Sequence, residues 1–286
     1  MKTGSFRGFK TVIEDPGILV ITFNQPDKLN GMTSPMKRDL IETLAQAQMD
    51  DGVRILVFTG TGRAFSAGDD ITANQDPNRG AEGLVPDIPM GWGGSKNRAL
   101  GIYNGLRLLS QSLNLAVRHL DKLTIAAING YAIQAGMSLA LSCDFRIAAT
   151  DAKIGSGTLR FGYLPDEGGH YLLVQHMGVG RTMDFLMRNR IVSGEEALEL
   201  GLVHEVVDAE DLMERAMDLA RELANGPQVA MRLLKHSIYN AAEMAFPQAL
   251  NDIATKTAVS DQQADAEEGV MAWREKRTAK FNKWLE

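Results

Sequence analysis

Two short stretches of small residues follow apolar runs in this chain, and both suit the handling of negative charge. The first is "AFSAGDD" (64–70), which comes after "RILVFTG" (54–60). The second is Ala135-Gly136, inside "INGYAIQAGMSLALSCD" (128–144). Where a strand gives way to a helix, the first backbone N–H groups lack an intrahelical partner and point at whatever lies beyond them. Small residues at Ala67, Gly68, Ala135 and Gly136 let a ligand come close to that backbone. Two such loops can aim two N–H donors at one oxygen, the requirement for stabilising charge that develops on a carbonyl. Tight packing at strand ends is the plainer reading of the same residues, and the two strings alone leave both readings open.

More familiar chemistry lacks its residues. Gly60 and Gly62 begin a dinucleotide fingerprint, but Phe65 stands where the third glycine belongs. No Lys-Ser/Thr pair follows them to complete a phosphate loop, and no Gly-x-Ser-x-Gly elbow occurs. The histidines at 119, 170, 176, 204 and 236 lack zinc-ligand spacing. A single cysteine, Cys143, excludes an internal disulfide and a cysteine-based zinc site, and reads as a small buried residue. The net charge of −6 argues against nucleic acid and anionic membranes as partners. No apolar run approaches the roughly 18 residues of a spanning helix, and "MKTGSFRGFK" lacks the apolar core of a signal peptide. A cytoplasmic protein is expected.

The elements that must carry the two loops are readable from periodicity. Strands are expected at 17–24, 54–60, 123–130 and 144–150, and a small-residue helix from near Ala135 through Leu141. A helix is expected over 33–48, with Ser34 as its cap, Pro35 in its first turn and Met36, Leu40 and Leu44 on one face. Ser193 with Glu196 forms a capping-box pattern, and Gly201 marks a stop. From Leu212 the chain reads as helical. Strands alternating with helices imply an α/β core with largely parallel pairing. The division expected is a core over 1–207 and a helical segment over 208–286. The stretch 73–98, rich in Gly and Pro, reads either as a surface loop or as a mobile wall beside the site.

On these strings the chain resembles the crotonase (enoyl-CoA hydratase/isomerase) superfamily, from about residue 8 to 283. The resemblance rests on "FNQPDKLNGMT" (23–33), "GRAFSAGDDI" (62–71), "LTIAAINGYAIQAGMSLALSCDFRIA" (123–148), "IVSGEEALELGLVHEVV" (191–207) and "EEGVMAWREKRTAKF" (267–281). It implies a β-β-α spiral core whose C-terminal helices complete a homotrimer or a dimer of trimers. It implies an acyl-CoA substrate, no separate cofactor and no metal. The thioester oxygen is then expected between the N–H groups of Ala67 and Ala135. CoA is expected along Ala67, Gly68, Asp69 and Asp70 and at the turn of Asp27, Lys28 and Leu29, with Asp69 and Asp70 shaping the loop. Lys276 and Arg277 are either solvated or reach CoA phosphates of a neighbouring subunit.

The chain departs from the hydratase pattern of that superfamily. The two glutamates that hold water in hydratases align with Ser138 and Thr158, neither of which is a carboxylate. Instead "YLPDEGGH" (163–170) offers Asp166, which aligns with an aspartate used by isomerases, and Glu167 beside it. One carboxylate suits a double-bond shift, in which a proton leaves one carbon and returns to another. The resemblance therefore favours an enoyl-CoA isomerase with Asp166 as acid/base and Glu167 as a second candidate. The alternatives are a hydratase with an unusual water-holding set, a hydrolase on the same oxyanion hole, and a non-catalytic acyl-CoA binder. For Asp166 and Glu167 the competing reading is capping of the helix that follows. His170 reads as a proton relay or a packing residue.

Overall fold

The computed structural model describes residues 1–70, 83–86 and 98–285. The loop or wall expected at 73–98 lies outside the described residues, apart from 83–86 and 98. The chain opens with three antiparallel strands, β1 (Gly4–Phe6), β2 (Phe9–Glu14) and β3 (Ile18–Phe23). Helix α1 (Ser34–Met49) follows.

A β-β-α unit then recurs. Strands β4 (Ile55–Gly60) and β5 (Ala64–Ser66) precede α2 (Arg98–Gly105), a π-helical turn at Leu106–Ser110 and α3 (Gln111–Arg118). Strands β6 (Leu123–Ile128) and β7 (Tyr131–Ile133) precede α4 (Ala135–Ser142). Strands β8 (Phe145–Ala149) and β9 (Lys153–Gly155) precede α5 (Gly169–Met187). After these come β10 (Ile191–Ser193), α6 (Gly194–Glu199) and β11 (Glu205–Val207), then α7 (Leu212–Ala224), α8 (Gln228–Ala241), α9 (Phe246–Ser260) and α10 (Ala264–Glu275).

Each unit places its first strand in one sheet and its second in another. The first sheet runs β1-β2-β3-β4-β6-β8-β11, and the second runs β10-β9-β7-β5. From β3 onward every neighbour pair in the first sheet is parallel. Sheets covered on both faces need strands that are apolar throughout, and β6 is buried at every position. Every residue of α4 is buried as well, which suits its run of small and aliphatic side chains.

Local details refine the expectations. Thr33, not Ser34, caps α1: its Oγ1 accepts the Met36 N–H at 3.3 Å. A cap must be extended, and Thr33 is (φ −95°, ψ 161°), whereas Ser34 is already helical. The Ser193 hydroxyl accepts the Glu196 N–H at 3.2 Å, but the Glu196 side chain turns to Arg190. The capping pattern there is half realised. Helix α7 lies beyond the division expected at 207/208, yet it adds Leu212, Ala216, Met217, Ala220 and Ala224 to the same core as the strands. Helix α8 joins through polar contacts. Lys235 Nζ lies 2.9 Å from Asp144 Oδ2 and donates to the Lys122 carbonyl at 3.0 Å, and the Tyr239 hydroxyl donates to Asp144 at 2.7 Å.

One buried ion pair ties α1 to both ends of its surroundings. Arg7 meets Asp39 through two N–H groups at 2.7 and 2.6 Å, and Asp39 Oδ1 also accepts the N–H groups of Leu84 and Val85 at 3.1 and 3.3 Å. Removing one member of a buried pair leaves the other charge uncompensated. Asp39→Ala is therefore expected to lower the unfolding free energy by about 3–5 kcal/mol, read by urea denaturation. A loss below about 1 kcal/mol, the range of an exposed pair, would contradict this.

Candidate active site

Strands β5 and β7 are parallel neighbours, so the chain leaves both at the same end. Two glycines then let the departing backbones touch. A Cβ on Gly136 would stand 2.1 Å from the Ser66 carbonyl oxygen, a distance no side chain tolerates. Gly68 has φ +96°, and a Cβ there would meet the Ile133 carbonyl at 3.0 Å and the Ala135 nitrogen at 3.5 Å. The loop 67–70 thus lies directly against the first turn of α4.

The amides at this contact are not equivalent. The Ala67 N–H is donated to the Leu29 carbonyl at 2.9 Å, and that of Asp70 to the Met32 carbonyl at 3.0 Å. Residues 67 and 70 sit on opposite phases of a strand's alternation, so the alternation breaks between them, where Gly68 takes its positive φ. Asp69 is left as the loop amide with no acceptor among the described residues. The Ala135 N–H likewise has no acceptor among them, as expected of the first residue of a helix. The donor expected at Ala67 is therefore spent within the fold, and the free amide of that loop is two residues on.

The turn of Asp27, Lys28 and Leu29 lies beside this loop. Pro26–Lys28 form a 3-10 turn that contains Asp27, and Leu29 and Asn30 follow with φ of 51° and 55°. The Asn30 side chain donates to the Thr61 and Ala64 carbonyls, and the Ser66 hydroxyl donates to the Asn30 carbonyl at 2.8 Å. Lys28 Nζ lies 3.6 Å from Asp70 Oδ2. Arg277 is held elsewhere, by Glu268 and Glu275, each at 2.6 Å. Lys276 sits at the end of α10 in a left-handed conformation.

Asp166 and Glu167 hang from α3. Gln111 donates to the Asp166 carbonyl at 3.0 Å and Asn114 to the Glu167 carbonyl at 2.9 Å. Both donors follow the π-helical turn, a feature that re-aims the side chains after it. Neither carboxyl caps α5, whose N-cap is Gly168 with no side-chain bond. Glu167 is 6% exposed and its Oε2 accepts from Gln134 Nε2 at 3.0 Å. Burial, then the charges of Asp166 and Asp69, push its pKa up from 4.5 to about 7. Burial and the charge of Asp69 also push Asp166 upward, while Lys37 opposes both shifts. His170 is exposed, with Nδ1 donating to the Pro165 carbonyl at 3.2 Å.

Several residues of this arrangement escape a reading of the sequence. Lys37 is 4% exposed, and its Nζ binds Asp69 Oδ1 at 2.7 Å, Asp69 Oδ2 at 2.8 Å and Ser110 Oγ at 2.7 Å. On α1 it follows a core methionine and reads as a solvent-facing charge. Asp69, expected to line the CoA and shape the loop, also acts on both carboxyls through its charge. At the two positions aligned above with hydratase glutamates, the Ser138 hydroxyl is buried with no partner among the described residues, and Thr158 Oγ1 stands 3.2 Å from Ser156 Oγ. Among the described residues no group of His, Cys, Asp and Glu is arranged to hold a metal ion.

Comparison with known proteins places the whole chain in one family. A family model described as enoyl-CoA hydratase/isomerase matches residues 14–85 and 94–284. The chain is 36% identical over 271 residues to a 1,2-epoxyphenylacetyl-CoA isomerase of Escherichia coli, covering 93% of this chain and 95% of that protein. It is 32% identical to an enoyl-CoA hydratase of Alternaria alternata, over 93% of this chain and 83% of the other. The crystal structure of an enoyl-CoA hydratase from Bacillus anthracis superimposes with a TM-score of 0.84 at 27% identity, over 96% of this chain and 99% of that one.

Glu167 gives a stability prediction. Its folded pKa lies above its unfolded value, so the native state holds the proton more tightly. The resulting stabilisation is complete below about pH 4.5 and is lost as pH rises to about 7. A shift of that size corresponds to something on the order of 3 kcal/mol. Glu167→Gln does not titrate, so wild type should lose stability relative to this variant across that window, measured by urea unfolding at a series of pH values. A pH-independent difference would contradict the burial argument.

Proposed function

The chain belongs to the enoyl-CoA hydratase/isomerase family, and from that premise we propose that it is a cytoplasmic CoA-thioester isomerase that shifts a carbon–carbon double bond through an enolate. One observation carries the reading. The half-buried carboxyl of Asp166 and the buried carboxyl of Glu167 share their electrostatics with Asp69, on the loop whose amide has no acceptor among the described residues, while Ser138 and Thr158 hold no carboxylate. The name of the relative from Escherichia coli, an isomerase of a CoA thioester, supports the same choice.

In this reading the thioester oxygen accepts from the N–H groups of Asp69 and Ala135. Two preorganised donors contribute about 3–4 kcal/mol each to a developing oxyanion. Asp166 takes a proton from the carbon chain, the electrons move onto the thioester oxygen, and the same proton returns at the other end of the allylic system. No water is consumed. Glu167, half protonated near neutrality, keeps one proton within the pair. The CoA moiety lies along Ala67–Asp70 and the Asp27–Leu29 turn, and is part of the substrate. Exposed apolar residues on the C-terminal helices, Phe246 and Trp273 among them, support assembly into a trimer or a dimer of trimers.

A hydratase is the second reading. The unpartnered Ser138 hydroxyl favours it, because a buried hydroxyl without a partner is a place for a bound water. Turnover of 3-enoyl- and 2-enoyl-CoA thioesters separates the two. Isomerisation should dominate, and Asp166→Asn should lower kcat on the order of 10²–10⁴-fold. Dominant hydration, or unchanged isomerisation in the variant, would contradict the isomerase reading.

A further inference from the structure

Gln134 has a backbone conformation, φ 51° and ψ −111°, that residues with a side chain rarely adopt. Such strain persists only where the surroundings over-determine it, and here every polar group of the residue is engaged. Its N–H donates to the Gly155 carbonyl at 2.9 Å, and its carbonyl accepts the Ser138 N–H at 2.8 Å, the first bond of α4. Its Oε1 accepts from the Ser156 hydroxyl at 2.5 Å. Its Nε2 faces Glu167 Oε2 at 3.0 Å and the Leu164 carbonyl at 3.5 Å. A carbonyl only accepts, so the amide nitrogen belongs on the side of Glu167. Besides the Gln134 amide, the Glu167 carboxyl has its own backbone N–H as a hydrogen-bond donor.

The residue immediately before the free Ala135 amide therefore also grips one oxygen of a buried carboxyl. We propose that Gln134 is a positioning residue: clamped by Ser156, it holds Glu167 through Oε2 and leaves Oε1 as the oxygen that exchanges the proton. This rests on the isomerase reading above. The charged groups that face Glu167 are Asp166 on its own loop, Asp69 on the loop after β5 and Lys37 on α1. The hydrogen-bond chain runs on from Gln134 through Ser156 to Thr158.

The role is testable apart from turnover. An N–H donated to a carboxylate favours its charged form, so its removal must raise the titration midpoint. In the full-length protein the Glu167 carboxyl is followed by isotope-edited infrared titration, with Glu167→Gln as the blank that assigns the signal. Gln134→Met should raise the midpoint by about one pH unit or more, and Ser156→Ala should raise it by less. For Gln134→Met, kcat of isomerisation should fall on the order of tenfold with KM within about threefold, the pattern of a lost transition-state interaction. A folded Gln134→Met protein with an unchanged midpoint would overturn the proposal. Should that variant not fold, an unchanged midpoint in Ser156→Ala overturns it equally. Full turnover in Glu167→Gln would instead remove Glu167 from the reaction, and the failure would then lie with the isomerase reading's use of the pair.

Discussion

The contact between Gly136 and the Ser66 carbonyl governs the site. It admits no side-chain atom, so the start of α4 and the end of β5 are held at backbone distance. A helix N-terminus alone is a general feature of proteins. One pressed against a second loop with its own unspent amide is not. Gly68 completes the arrangement: its positive φ breaks the alternation of the loop, and Asp69 is turned out as a donor. A larger residue at either glycine would separate the two amides before it changed anything else.

Charge is the second constraint. Asp69, Asp166 and Glu167 lie in the field of the Lys37 ammonium, which is already bound to Asp69 and Ser110. Carboxyls in such surroundings cannot all ionise at ordinary cost, and the burden falls on Asp166 and Glu167. The Lys37–Asp69 pair, buried at the lysine and exposed at the aspartate, ties the loop 67–70 to α1. The same charges that orient the loop thus raise the proton affinity of the acid pair.

The fold was largely legible because its strands are continuous apolar runs, and a run such as "LTIAAI" has few alternatives. The two small-residue loops were legible as places, but not the amides within them. Whether Ala67 or Asp69 is free depends on the Leu29 carbonyl, which belongs to a different part of the chain. Gln134 and Lys37 were invisible for a similar reason. A glutamine before a helix and a lysine on one carry no signal until the packing brings Glu167, Asp69 and Ser110 to them. The cap of α1 shifted by one residue, from Ser34 to Thr33, because two adjacent hydroxyl residues compete and only backbone conformation decides.

Enolate formation between two backbone amides and a carboxyl base is the core of this view of the protein. It is tested most directly by incubating a saturated acyl-CoA thioester with the protein in deuterated water and following deuterium at the α carbon by mass spectrometry. A saturated chain has no double bond to move or hydrate, so only proton abstraction is read. Deuterium should enter with wild type, and Asp166→Asn should slow its entry on the order of hundredfold. No incorporation into a thioester shown to bind, or an equal rate in both proteins, would contradict it.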